Sequence, residues 1–203
     1  MQHHPDTVKE ICSRIDQLLL RQPRVVAAVD GRSAAGKSTL ARLLANAYHC
    51  DVIHMDDFFL PPELRTPARL GEAGGNIHYE RFIEEVIAPL RQGDSVFAYR
   101  VFDCSTMAYG GIKQSGSAPL LLCEGAYSTH PSFGALYDIR VFATCSPPEQ
   151  RRRILARNGP GQLARFEREW IPMEEAYFSA YATARQCDFV LDTEQAPLNG
   201  ILL

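Results

Sequence analysis

Between Val29 and Leu44 the chain reads VDGRSAAGKSTLARLL, a run whose residue types suit anion chemistry better than packing. Small residues bury little surface and glycine carries an ordering cost, so a core gains little from them. Gly31, Gly36, Lys37 and Ser38 stand in the register G-x-x-x-x-G-K-[ST]. The N–H groups of a loop running through Gly31, Ser33, Ala34, Ala35, Gly36 and Thr39 could surround a phosphate, and a helix N-terminus would add positive potential. Lys37 would then reach the terminal phosphates, and the Ser38 hydroxyl would ligate magnesium. A nucleoside triphosphate is implied.

Three other stretches could act on that triphosphate. In HMDDFF, at residues 54–59, Asp56 or Asp57 could take the proton of a hydroxyl attacking the terminal phosphate. A turn or helix-cap aspartate is the plainer role, and it suits at least one of the two. In APLLLCEGAYS, at residues 118–128, Glu124 ends an apolar run, where an acid can hold magnesium's water shell or a substrate. Between Gln150 and Arg168 lie six arginines and one acid. Three consecutive helical arginines cannot share one face, so some must be solvated. As a group they suit a mobile lid that neutralises a transferring phosphoryl.

Elements that would position these groups follow from periodicity. Short apolar runs predict strands at 24–29, 51–54, 120–123, 139–143 and 189–191. Helical spacing predicts helices at 37–47, 79–91, 148–157 and 162–183, the last split at Pro172. An amphipathic helix built on Val8, Ile11, Cys12, Ile15, Leu18 and Leu19 precedes them and ends near Pro23. Alternation of this kind predicts an α/β fold, with a mostly parallel sheet flanked by helices and ligands at the strands' carboxyl ends. Two regions break the alternation. Residues 56–78 hold a loop rich in Pro and Gly, and residues 95–113 are β-prone and aromatic enough to form a hairpin beside the site.

The chain has 203 residues, 46% of them hydrophobic, and a formal net charge of −3. That length suits one compact domain, here residues 1–203, with a lid near 150–170. The charge gives no reason to expect nucleic acid or an anionic membrane as a partner. Six cysteines form no C-x-x-C pair, and several sit inside apolar runs as small hydrophobes. With no signal peptide and no apolar run near the ~18 residues of a membrane span, the expectation is a cytoplasmic protein with reduced thiols.

The run Gly31–Thr39, followed by MDDFFLPPELRT, GGNIHYERFIEEVIAPL, EGAYSTHP and RRRILARNG…WIPMEEAYF, resembles the uridine kinase family of P-loop small-molecule kinases. The likeness spans residues 24–191. It implies a doubly wound P-loop NTPase fold with an arginine-rich helical lid, use of ATP and Mg2+, and transfer of the γ-phosphate to a primary hydroxyl, usually a ribose 5′-OH. It maps the general base onto Asp56, the strand-end acid onto Glu124 and the lid arginines onto Arg152, Arg153 and Arg157, with Arg153 and Lys37 at the chemistry. Phe59, His78, Tyr79, Phe102 and Asp103 then fall in the acceptor segments. The implied partner is a small-molecule acceptor such as uridine or cytidine, and a homo-oligomer is left open.

Two departures bear on the acceptor. Where the family often carries an aspartate for the ribose hydroxyls, this chain offers His78, and where it often carries a tyrosine in the base-binding hairpin, this chain offers Phe102. A non-nucleoside alcohol, such as a vitamin precursor or a sugar, is the alternative acceptor. A GTPase would need an N/T-K-x-D guanine motif, which is absent. A non-catalytic ATP-binding regulator would lack both a base and a lid.

Overall fold

The computed structural model describes residues 7–195 and 198. Helix α1 (Thr7–Leu19) leads into β1 (Val25–Gly31), α2 (Lys37–Tyr48) and β2 (Asp51–His54). A 3-10 turn (Met55–Phe58) opens the first irregular region, which carries α3 (Pro67–Leu70), α4 (Tyr79–Phe82) and α5 (Ala88–Gln92). A π turn (Ile83–Ile87) joins α4 to α5, so the helix expected at 79–91 is continuous in the chain but not uniform. The hairpin β3 (Phe97–Asp103) and β4 (Ala108–Ser115) follows, then β5 (Leu120–Glu124) and β6 (Ile139–Thr144). The chain continues through α6 (Pro147–Arg165), a π turn (Phe166–Trp170), α7 (Ile171–Ala180), α8 (Thr183–Gln186) and β7 (Phe189–Asp192).

Five strands form one parallel sheet in the order β2-β5-β1-β6-β7. β1 is flanked by strands that follow it by different crossovers, so the loops after β1 and β5 diverge and leave a crevice at the carboxyl edge. Side chains alternate across a strand, and both faces are covered. Val25, Ala27 and Val29 of β1, with Leu120 and Leu122 of β5, pack beneath α1 and α2. Val26 and Ala28, with Leu121 and Cys123, pack with Phe58, Phe82, Tyr177 and Phe178 on the other face.

The same parity assigns the polar residues at the strand ends. Glu124 continues the Leu120–Leu122 face and so points toward α2. Asp30 continues the Val26–Ala28 face and so points toward α7.

At Pro172 the expected split is a change of helix form and not a full break: Pro172 lies in the first turn of α7, directly after the π turn, and the backbone on either side stays helical. The non-helical residue is Gly159, with φ 78° and ψ 172°, ahead of Pro160 and between the two expected helices. All six cysteines are free. No helix among the described residues is long and apolar enough to cross a membrane.

Candidate nucleotide and acceptor site

The loop after β1 is shaped by close approach. A Cβ on Gly31, at φ 132°, would stand 2.0 Å from the Ala143 carbonyl oxygen on β6, so any side chain there would split β1 from its neighbour. Ala34 and Gly36 also take positive φ, 59° and 84°, and turn the chain into α2. No side chain caps α2. The first N–H groups of a helix have no partner within it, so those of Lys37, Ser38 and Thr39 remain available as donors. An anion fits that position.

Lys37 Nζ is folded back over the loop, 2.9 Å from both the Gly31 and Arg32 carbonyl oxygens. The Ser38 hydroxyl lies 3.2 Å from both oxygens of the Glu124 carboxylate. His54, paired in register with Glu124 on the adjoining strand, places Nδ1 2.6 Å from Glu124 Oε1. That hydrogen bond raises the imidazole above its ordinary value, with burial opposing. Among the described residues no group of three His, Cys, Asp or Glu side chains surrounds a cation position. The hydroxyl–carboxylate pair nonetheless matches what Mg2+ takes from a P-loop protein, since that ion keeps its waters and phosphate oxygens as the other ligands.

Asp56 and Asp57 lie in the 3-10 turn after β2, and they diverge as adjacent side chains must. Asp57 is buried, with its carboxylate 2.8 Å from Lys113 Nζ on β4. Its carbonyl accepts from the fully buried Arg81, which also donates to the Arg100 carbonyl and to Glu85. Asp56 has an open mouth to solvent and, among the described residues, no hydrogen bond or ion pair. Protein walls around it raise its carboxyl above the ordinary range, opposed by Lys37 and reinforced by Glu124. A free carboxylate facing the loop lysine, with a raised affinity for protons, is the arrangement of a general base.

On the opposite side, Asp30 is wholly buried and accepts from the N–H groups of Gly31, Tyr127 and Thr129 and the hydroxyls of Thr129 and Tyr177. Glu174 of α7, only 5% exposed, accepts from Ser33 N at 2.9 Å and from the Ser33 hydroxyl. Arg32 reaches Glu175 through two hydrogen bonds of 2.6 and 3.0 Å. His130 is stacked between Tyr79, at 4.8 Å, and Tyr177, at 6.0 Å.

Several expected site residues are not brought to this crevice. Arg153 is turned beneath the loop, donating to the Ala34 carbonyl and to Thr193. Arg152 is 68% exposed and paired with Glu149, and Arg157 bonds its neighbour Asn158, because the helix carries them around its solvated face. Phe102 is 3% exposed, packed edge-on against Tyr109 within the hairpin, so no ring face is open for stacking. Asp103 is folded onto Ser105 in the turn between β3 and β4. Tyr79 lies under the Arg69 guanidinium, 3.8 Å from its ring. Phe59 bridges to Ile77, and the buried His78 Nδ1 has no partner.

Burial and like charges, Arg81 first among them, lower His78 below its ordinary value.

Sequence reasoning passed over His54, Lys113, Arg32 and Glu174. The last was findable: Glu174, Tyr177 and Phe178 are all buried at helical spacing, and an acid in an apolar stripe needs a partner.

Solved structures carry the same architecture. The chain is 20% identical to a possible uridine kinase from Bacillus stearothermophilus, with a TM-score of 0.63, covering 90% of this chain and 100% of that one. It is 22% identical to a candidate fructose transport system kinase from Silicibacter sp. TM1040, with a TM-score of 0.69, over 90% and 98% of the two chains. No protein-family model and no curated protein sequence matches the chain. The fold is that of the P-loop kinases. It is the fold that the possible uridine kinase shares with this chain over its whole length.

Proposed function

We propose that the protein is a small-molecule kinase that moves the γ-phosphate of ATP to a primary hydroxyl. What carries this reading is Asp56, a partnerless carboxylate held within electrostatic reach of Lys37, Glu124 and His54 at the mouth of an uncapped glycine loop. Bound ATP supplies the transferable phosphoryl group, and magnesium neutralises part of its charge. Asp56 accepts the proton of the acceptor hydroxyl. Lys37 leaves its two loop carbonyls to meet phosphate oxygens, while Ser38 and Glu124 hold the cation and its waters. His54 orients the Glu124 carboxylate. The segment around residues 150–170 closes over the site, and with Arg152 and Arg157 now on its solvated face, closure must re-aim them for a direct role.

The resemblance implies a nucleoside 5′-hydroxyl as acceptor. Two observations favour a second reading, a non-nucleoside alcohol: Phe102 has no open ring face, and His78 supplies no carboxylate for a ribose diol. Acceptor-dependent release of ADP from Mg·ATP, screened across nucleosides, pentoses, hexoses and vitamin alcohols, tests both. Turnover with a nucleoside alone selects the first reading, turnover with a sugar or vitamin alone the second. Absence of acceptor-dependent turnover across the panel sinks the kinase assignment.

A further inference from the structure

Glu174 stands on α7, far along the chain from the loop it touches. Its two carboxylate oxygens take the Ser33 N–H and the Ser33 hydroxyl, and the side chain is buried against them. Lys37 is the cation that acts most strongly on it. A carboxylate accepting from a loop N–H and a hydroxyl beside an ammonium has the charge and hydrogen-bonding pattern of a phosphate edge. The position is specific. The uncapped N–H groups at the start of α2, which would cradle the α- and β-phosphates, are left clear. The covered side is the one that Lys37 serves, where the terminal phosphate would lie.

We infer that Glu174 occupies the terminal-phosphate position of the loop and so sets how strongly the protein distinguishes triphosphate from diphosphate. The inference rests on the nucleotide reading given above. Two anionic groups cannot share the same few donors without repulsion, which is strong where water is excluded. A diphosphate seats on the α2 cradle with Glu174 in place. A triphosphate must move it, by turning the side chain or by shifting α7. The displacement is resisted locally, since Tyr177 of the same helix donates to Asp30 at 3.0 Å and Arg32 grips Glu175. Burial raises Glu174 above the ordinary carboxylate range, in keeping with a charge held where water does not reach it.

Calorimetric titration of the full chain with Mg·ADP and with the Mg complex of the β,γ-imido analogue of ATP tests this. Glu174→Gln keeps the shape and an oxygen for the Ser33 N–H but removes the charge. Expected is about tenfold tighter binding of the triphosphate analogue, the scale of one removed close charge repulsion, with ADP affinity changed by less than about threefold. If Glu174→Gln does not fold, Glu174→Ala, which also removes the charge, is measured in its place and shifts in the same direction. Unchanged or weaker analogue binding in the variant, with ADP and analogue both bound by the wild type, overturns the inference while the nucleotide reading stands. Equal tightening of both ligands also overturns it. Absence of binding by wild type and variant alike sinks the nucleotide reading itself, and the inference with it.

Discussion

The two halves of the crevice are assembled in different ways. On the loop side, polar groups are placed by backbone. Asp30, next to last in β1, and Glu124, last in β5, lie on strands whose alternation sends one toward α7 and the other toward α2, and the loop's N–H groups need no side chain at all. Along residues 55–115 much of the placement depends instead on charged side chains meeting across the segment: Asp57 with Lys113, Arg81 with the Asp57 carbonyl and Glu85, Arg69 with Glu80. A backbone-placed site tolerates most substitutions around it. A site placed by ion pairs depends on each member, since removing one partner strands the other.

The largest expected effect strikes the loop side. Lys37→Ala should lower turnover by at least ~10², the scale of a lost electrostatic stabiliser, with the fold intact. Wild-type-like turnover by the folded variant would break the assignment of the loop.

The next effect belongs to the boundary between the halves. Asp56→Asn should lower kcat by ~10²–10⁴, the usual worth of a general base, and leave nucleotide affinity little changed. Asp57→Asn should be milder in kcat, its loss showing in stability through Lys113. The pH dependence sharpens this. Asp56 must be ionised to accept a proton, and its carboxyl is raised. The acid limb of kcat should therefore fall as pH drops through a value above the ordinary aspartate pKa of about 4. An acid limb at the ordinary value, or one that survives Asp56→Asn, moves the base elsewhere, with Glu124 next in line.

On the ion-paired side, Arg81→Met should destabilise by about 3 kcal/mol, the scale for breaking a buried charge network, as read by denaturant unfolding. It should raise the acceptor KM while ATP affinity holds. A parallel loss of both would mean the two halves are not separately built. Smallest of all is Arg152→Ala, since Arg152 is solvated and Arg153 still pairs with Glu149. Its kcat should stay within about twofold of wild type, as for a solvated pair. A large loss would return Arg152 to the chemistry through lid closure.

This contrast also explains what was legible in the sequence. Five strands and the P-loop lie where apolar runs and glycine spacing predict them, because both signals are local and periodic. Glu124 was visible for the same reason, as the acid that ends an apolar strand. The roles given to Arg152, Arg153 and Arg157 came from the resemblance alone, because helical geometry says only that Arg151, Arg152 and Arg153 diverge. Which one turns inward depends on Thr193 and the Ala34 carbonyl, far off in the chain. Phe102 was misplaced for a related reason. An aromatic in a hairpin can face a ligand or its own cross-strand partner, and here Tyr109 takes it. His54 stood in plain view at the end of β2, but only its register with Glu124 gives it a task.

The stack of Tyr79, His130 and Tyr177 has a mechanical meaning. Burial lowers His130 below its ordinary imidazole value, so the ring stays neutral and apolar enough to lie between two phenol rings. Tyr79 belongs to the segment that follows residues 76–78, and Tyr177 to the helix that carries Glu174. Withdrawal of either ring would leave a face of His130 uncovered, and close-packed interiors resist such gaps. The two segments should therefore open together: backbone amides near Tyr79 and near Tyr177 should exchange with solvent at a common free energy, as one cooperative unit.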